Sequence, residues 1–416
     1  RLAYPLCFPI DAHLLHGAGS TILTDAQGGG YLARNGIMLT RFREPCHLPS
    51  GPRFYLRDSQ TGAYWLATEP TAPGTTQFET AQATFVRTVQ NVETTLRCFV
   101  NPLDGTILHQ LTIKNLSSVD RMLEVASYLE LALCPQRDDQ AHPAFQNLFV
   151  RTSRLGPTAL LAERRPREPE ESPRRLAHLL VSDPVPTAFH AQTDRTAFLG
   201  RGNTLLRPQV MELPIGALSD RVGNVIEPCA SLRAQFVVPV RGQVEALFAT
   251  LLLEERESPT AFLDRYARPE SAAKAYALAL TKGLVTARYL DLPPSMQNLA
   301  GKLIGGLAYT GQPRKTAGDN TLPLRALWGL GISGDLPILL LEFDGGQDLF
   351  LPRLLLKAHA WYRLSGFWCD LVLLCGSAQA RAALEELVRA SHDHALLAKD
   401  GGVHLLAADA LAPGMA

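Results

Sequence analysis

Apolar and polar positions alternate along most of the chain from residue 20 to about 250. Val92, Thr94, Leu96, Cys98 and Val100 alternate with Glu93, Thr95, Arg97 and Phe99, the period of two that marks a half-buried strand. Leu123, Val125, Ser127, Leu129, Leu131 and Leu133 repeat it, which sends Glu124, Tyr128 and Glu130 to the opposite face. Phe54–Arg57 and Ala63–Leu66 flank the turn-forming Asp58-Ser59-Gln60-Thr61-Gly62 and read as a hairpin. Further strands are predicted over 147–152, 158–163, 177–182, 187–193, 231–238 and 243–253. Many short strands separated by turn residues indicate an antiparallel β-sandwich. Residues 164–175, RRPREPEESPRR, break the pattern and read as an exposed loop, because charges and prolines cannot supply buried area.

The period changes after residue 258. Ser258-Pro259 and Pro269 punctuate two helical stretches, with Tyr276, Leu280, Leu284 and Ala287 on one face of the second. Pro293-Pro294 ends that helix, a shorter one follows from Met296 to about Leu307, and a Gly- and Pro-containing polar loop runs through Leu322. The continuous apolar run Leu336–Leu341 reads as a strand covered on both faces. Leu351, Leu354, Leu355, Ala358, Trp361 and Tyr362 then trace a helix, 369–374 a strand, Ala380–Val388 a helix, and Val403–Leu406 a strand. That β-α-β-α-β order predicts a small parallel sheet. The expected organisation is a sandwich over 1–257, a helical linker over 258–322 and a small α/β unit over 323–416.

Composition narrows the function classes. The 416 residues carry 40 basic and 40 acidic side chains, and the zero net charge argues against nucleic-acid binding. No apolar run approaches the roughly 20 residues of a membrane helix, so direct membrane insertion is not expected. The chain starts at Arg1 without a signal-peptide pattern and reads as a soluble piece, with a longer polypeptide as one origin of such a start. Its 7 cysteines are scattered singly, which points to reduced structural thiols and a cytoplasmic setting. No metal-ligand spacing occurs, and Gly28-Gly29-Gly30 lacks the phosphate-loop pattern and reads as a turn. Gly329–Asp335 is Gly-rich but precedes its strand, the reverse of a nucleotide fingerprint, so no cofactor is expected.

Two polar clusters have the make-up of sugar contacts. Asp138-Asp139-Gln140-Ala141-His142-Pro143, followed by Phe145, joins carboxylates that accept hydroxyl hydrogen bonds to a ring that covers a sugar's C–H face. Arg57 and Asp58 beside Tyr55 and Trp65 form the second cluster, and Arg195 is a further polar candidate. Ordinary turn chemistry and core packing account for the same residues, so both readings stand at this point.

Several stretches together resemble one family. Thr40-Arg41-Phe42-Arg43-Glu44, then Tyr55-Leu56-Arg57-Asp58 with Thr61-Gly62 and Trp65, resemble the N-terminal sandwich of family 94 glycoside phosphorylases. Ser127–Leu133, Ala141-His142-Pro143-Ala144-Phe145 with Leu148-Phe149-Val150, Thr193-Asp194-Arg195 with 198–202, and Gly331–Ile338 look like cyclic β-1,2-glucan synthases. The resemblance spans about residues 17 to 411. It departs at Phe42, where the family usually has Trp, at 45–49, where the family has an acidic run, and between Tyr309 and Leu327. It implies a supersandwich of the galactose-mutarotase-like kind. It also implies a parent polypeptide with a membrane-embedded glycosyltransferase using UDP-glucose, a transglycosylating helical barrel, two sandwich copies and a phosphorylase-like barrel. The catalytic Asp of the phosphorylases lies in that barrel, and this sequence has no such series of helices.

Three functions follow as expectations. The first is a non-catalytic module that holds β-1,2-glucan and packs against neighbouring catalytic domains, on the cytoplasmic side of the inner membrane. Its expected contacts are Arg57, Asp58, Trp65, Asp138, His142 and Arg195. The second is a purely structural spacer or dimerisation module. The third is a small sugar-active enzyme working in the sandwich cleft, with His142 and either Asp138 or Glu130 as its acid–base pair.

Overall fold

The computed structural model describes residues 11–43, 50–309, 322–345 and 348–411. The expected departure at 45–49, the thiols Cys7 and Cys46, and most of the loop before Leu322 lie outside them. Leu15–Lys282 forms one compact unit, and the described parts of 1–14 and 283–416 form another. The division falls inside the helix Ser271–Tyr289.

Two large antiparallel sheets, with nearly all of their residues within Leu15–Lys282, are found among the described residues. One has nine strands, running Ala12–Gly17, Ser20–Asp25, Gly30–Arg34, Ile37–Thr40, Arg121–Pro135, Pro228–Val238 and Ala188–Asp194, with Arg53–Asp58 and Tyr64–Leu66 branching from Arg121–Pro135. The other has eight, in the order Val150–Gly156, Ala159–Arg164, Arg174–Asp183, Gln243–Leu253, Ile107–Asn115, Val92–Val100, Gln82–Val89 and Gly74–Glu79. The antiparallel sandwich expected from the alternation is the fold observed.

Arg121–Pro135 is the strand on which the larger sheet is built. Pro228–Val238 pairs along one edge of it, and its other edge takes Arg53–Asp58 at Leu123–Tyr128 and then Ile37–Thr40 from Leu131 onward. The register shifts between Leu131 and Cys134, where Leu133 has φ 54°, so a bulge accompanies that second pairing. Leu123, Val125, Leu129 and Leu131 point into the inter-sheet core against Phe85, Leu96, Leu111 and Phe248.

Ser127 shares that inward face, and its hydroxyl lies 2.9 Å from His178 Nε2. His178 Nδ1 is 2.9 Å from the hydroxyl of Thr250, its cross-strand neighbour in the opposite sheet. Leu232 N–H donates to Ser127 Oγ at 3.1 Å. The chain of bonds joins the two sheets through otherwise apolar surroundings, where each member would be costly to leave unpaired.

Two expectations need correction on the helices. On Ser271–Tyr289 the buried side chains are Ala272, Ala275 and Ala279, while Leu280 and Leu284 are exposed. Small residues let the first half of the helix approach Phe99, Leu247 and Ala249 of the eight-stranded sheet. The polar stretch 138–143 is not a simple turn: two short helices, Gln136–Ala141 and Pro143–Asn147, precede the strand, which begins at Val150 rather than at 147.

In the second unit Ile338–Phe343, Asp370–Cys375 and Val403–Ala407 pair in parallel. Phe350–Leu364 and Ala378–Arg389 supply Leu355, Leu356, Leu384 and Val388 to the face carrying Leu371, Leu373 and Val403. Ile338–Phe343 is therefore an edge strand packed on one face, with Leu340 53% exposed, rather than covered on both. His359 is buried with both ring nitrogens engaged, Nδ1 2.8 Å from Asp393 Oδ2 and Nε2 2.9 Å from the Cys369 carbonyl. Among the described residues no helix is long and apolar enough to cross a membrane.

Burial pushes His109 down to about 3, and burial together with His109 pushes His178 to about 3. Both stay neutral in the folded chain, while the unfolded chain takes up protons below about 6.5. Stability is then full above that pH and falls as pH drops toward 3, by up to about 1.4 kcal/mol per pH unit for each His. Urea unfolding between pH 6.5 and 4.5 is expected to show a shallower loss in His178→Gln than in wild type. An unchanged slope would remove His178 from the acid response.

Candidate functional site

The outward face of Arg121–Pro135 carries polar side chains that the alternation exposes and the fold then covers. Glu124 is fully buried there. Arg57 Nη1 reaches it at 3.2 Å, Ser59 Oγ donates at 2.7 Å, and Arg233 Nε donates at 2.7 Å with a second contact from Nη2. Arg57 Nε also donates to Met211 O at 3.0 Å, and Arg233 donates to the carbonyls of Val210 and Leu213. The segment after Leu199 is thereby held across this face, where Phe198, Leu199, Leu205, Val210 and Met211 pack on Tyr55, Ala126 and Tyr128.

Asp58 accepts from the Gln60 and Thr61 backbone at 2.8 and 3.2 Å and pairs with Arg121. Burial pushes its carboxyl up, but these bonds and the Arg121 charge outweigh it and hold it below the usual range. Trp65 lies opposite Leu56 in the hairpin and is only 6% exposed, inside the core. Arg57, Asp58 and Trp65 are thus spent on internal contacts.

Glu130 stands six residues further along the same face, about 20 Å from Glu124 at strand rise. Arg43 grips it through Nη1 and Nη2 at 2.7 and 2.6 Å, Arg41 Nη1 lies at 3.1 Å and Arg195 Nε at 3.3 Å. Arg41 in turn holds Asp139 through Nε and Nη2 and Asn147 Oδ1 at 2.8 Å. Arg195, the first residue of a short helix capped by Asp194, pairs with Glu227 at 2.8 Å. Burial raises the Glu130 pKa, but Arg43 foremost, with Arg195 and Arg41, keeps the carboxyl below its ordinary range. A carboxylate so saturated is a poor proton donor or acceptor near neutral pH. His142 is exposed, and among the described residues it bonds through its backbone alone, its N–H donating to Asp138 O and its carbonyl accepting from Gln146 N–H. The acid–base pair of the small-enzyme reading is therefore not assembled at Glu130.

The segment 136–149 gathers the other predicted residues. Asp138 is half-exposed, its Oδ1 3.6 Å from Arg137 Nε, and His142 sits between the two short helices. Phe145 is 44% exposed and stands edge-on to Phe149 with ring centroids 5.2 Å apart. Arg164 donates to Gln146 Oε1 at 2.6 Å and to Gln146 O at 3.1 Å, and lies 5.1 Å over the Phe149 ring. Arg167 lies 5.3 Å over Phe145 and 5.6 Å over Phe149. Asp138, His142 and Phe145 all keep solvent exposure along these two short helices, and Arg195 connects toward the first of them through Glu130, Arg41 and Asp139. The Arg57 hairpin belongs to the Glu124 end of the strand. Sequence reasoning passed over Phe149, Arg164 and Arg167. The spacing of four between Phe145 and Phe149 was the available signal.

Among the described residues no group of three or more His, Cys, Asp or Glu is placed to hold a metal ion. Cys98, Cys134, Cys229, Cys369 and Cys375 are free and buried, and burial raises each thiol above its ordinary range.

Nine- and eight-stranded antiparallel sheets face to face, with a covered polar outer face, define a supersandwich domain. Residues 12–269 match the Glycosyl hydrolase 94 supersandwich domain, and the chain belongs to that family. Over 375 residues it is 32% identical to the cyclic beta-(1,2)-glucan synthase NdvB of Rhizobium meliloti (strain 1021). That alignment takes in 87% of this chain and 13% of that protein, so the chain spans only a small part of this relative's length. Among solved structures, a bacterial glucoamylase complexed with acarbose is similar at 10% identity and a TM-score of 0.36, over 70% of this chain and 41% of that one. A galactose mutarotase-like protein from Clostridium acetobutylicum is similar at 7% identity and a TM-score of 0.31, over 59% and 99%.

Replacing Glu124 with Gln leaves Arg57 and Arg233 buried beside a neutral partner and is expected to cost about 3–5 kcal/mol. Glu163→Gln, which breaks a surface pair with Arg151, should cost less than about 1 kcal/mol. Urea denaturation of the two variants measures the difference, and equal costs would refute the keystone role of Glu124.

Proposed function

We propose that the chain is a non-catalytic module that binds glucan and scaffolds a cyclic β-1,2-glucan synthase-like polypeptide. One observation carries the binding half: the two short helices over 136–147 leave an aromatic ring, Phe145, exposed within a few residues of exposed His142 and half-exposed Asp138. A ring of this kind stacks on the C–H face of a glucose unit while the carboxylate and imidazole meet its hydroxyls. Arg195 is the polar residue next in line, and Arg57, Asp58 and Trp65 serve the site by fixing the far end of the strand that leads to it. A rigid sheet end is a sound base for such contacts. Each contributes on the order of 1 kcal/mol, so binding is in the millimolar range unless the glucan is long. The location that goes with this reading is the cytoplasmic side of the inner membrane, and the free thiols are compatible with it.

The spacer reading has its own support. The second unit exposes the large apolar side chains Tyr289, Trp328, Leu340, Phe350, Leu351 and Trp368, which a neighbouring module could cover. The relative is several times longer than the stretch aligned here, which favours another module of the same polypeptide as the occupant.

Titration calorimetry with linear and cyclic β-1,2-glucans, and cellodextrins as controls, tests the first reading. Heats confined to β-1,2 chains, lost in Phe145→Ala and reduced in His142→Ala with unchanged thermal melts, are expected. No heat at millimolar glucan with the fold intact would leave the spacer reading in place.

A further inference from the structure

The two arginines over the aromatic pair are held in different ways. Arg164 ends a strand, is buried, and is fixed by two hydrogen bonds to Gln146 before its guanidinium meets the Phe149 ring. Arg167 is exposed, and among the described residues its guanidinium has neither a carboxylate nor a carbonyl partner. What holds it is the pair of ring faces at 5.3 and 5.6 Å. Its backbone is nonetheless kept in place, since Arg167 N–H donates to Glu171 Oε2 at 2.8 Å and Arg165 N–H donates to Phe149 O at 2.9 Å. Pro166, Pro169 and Pro173 further restrict the loop. The side chain is therefore delivered to the rings by an anchored loop and retained there by an exposed cation–π contact, among the weaker non-covalent contacts.

A sugar that stacks on Phe145 needs a ring face, and Arg167 already lies over one. We propose that Arg167 is a displaceable cover on the glucan platform, which a β-1,2-glucan must push aside to reach Phe145. This rests on the reading that the Phe145 surface takes glucan. The cover competes with a neutral ligand for the same face, and it lowers apparent affinity by the strength of one exposed cation–π contact. It also keeps exposed Phe145 and half-buried Phe149 from offering a bare apolar surface when no sugar is present.

Calorimetric titration of wild type, Arg167→Ala, Phe145→Ala and the double variant with linear β-1,2-glucan tests the cover. Arg167→Ala is expected to tighten binding about two- to fivefold. Phe145→Ala is expected to abolish binding whether or not Arg167 is present. In the free protein, Arg167→Ala should also shift the ring-proton resonances of Phe145 and Phe149. Unchanged affinity in Arg167→Ala, with binding still lost in Phe145→Ala, overturns the cover and leaves the glucan platform standing. Weaker binding in Arg167→Ala overturns it too, because Arg167 is then a sugar contact. Absence of binding in every variant, Arg167→Ala included, removes the platform and the cover together.

Discussion

Two carboxylates buried on the outward face of one strand set the constraint that organises the larger sheet. Glu124 and Glu130 cannot be left unpaired without a cost of several kcal/mol each, so cations from distant parts of the chain are drawn to them. Arg57 and Arg233 converge on Glu124, and Arg41, Arg43 and Arg195 converge on Glu130. The remaining N–H groups of those arginines go to the carbonyls of Val210, Met211 and Leu213, and to Asp139 and Asn147. The hairpin, the covering segment after Leu199 and the two short helices are consequently tied to the same 15-residue strand. The opposite face of that strand feeds the inter-sheet core, where the Ser127–His178–Thr250 chain is the polar exception.

This arrangement decides which polar residues remain open to a ligand. Charged side chains recruited to Glu124 and Glu130 have little hydrogen-bonding capacity left, which is why the Arg57–Asp58 hairpin is internal although its composition suits a sugar contact. The segment 136–149 differs because only part of it is used. Asp139 and Asn147 are taken by Arg41, while Asp138, His142 and Phe145 stay on the surface. Arg41 thus anchors the segment through Asp139 and Asn147 without consuming its exposed residues, and Arg164 and Arg167 reach the Phe145 and Phe149 rings from the neighbouring strand and the loop after it.

The second unit solves a different problem. A three-stranded parallel sheet needs helices, and Phe350–Leu364 and Ala378–Arg389, with Leu303 of the helix Pro294–Ala308, contribute to the face carrying Leu371 and Leu373. His359 and Asp393 join the end of one helix to the segment following the other, with Arg363 completing the pair. The edge strand leaves Leu340 open to solvent, and Phe350, Leu351 and Trp368 are exposed elsewhere in the same unit.

The sequence by itself determined the architecture, because a period of two is imposed by strand geometry and survives any tertiary context. Leu123 to Leu133 facing the core, Glu124 and Glu130 facing away, and the parallel α/β order after residue 336 were all legible from spacing. Tertiary structure alone decided which polar residues are buried, since a charge's partner lies 67 to 109 residues away in the Glu124 pairs and carries no local signature. It also decided that Ala272, Ala275 and Ala279, and not Leu280 and Leu284, meet the sheet, because close approach rewards small side chains there. Arg164 and Arg167 read as part of a solvated loop for the same reason. Nothing in RRPREPEESPRR announces the two rings it folds onto, and only the register of Val150–Gly156 with Ala159–Arg164 brings them together.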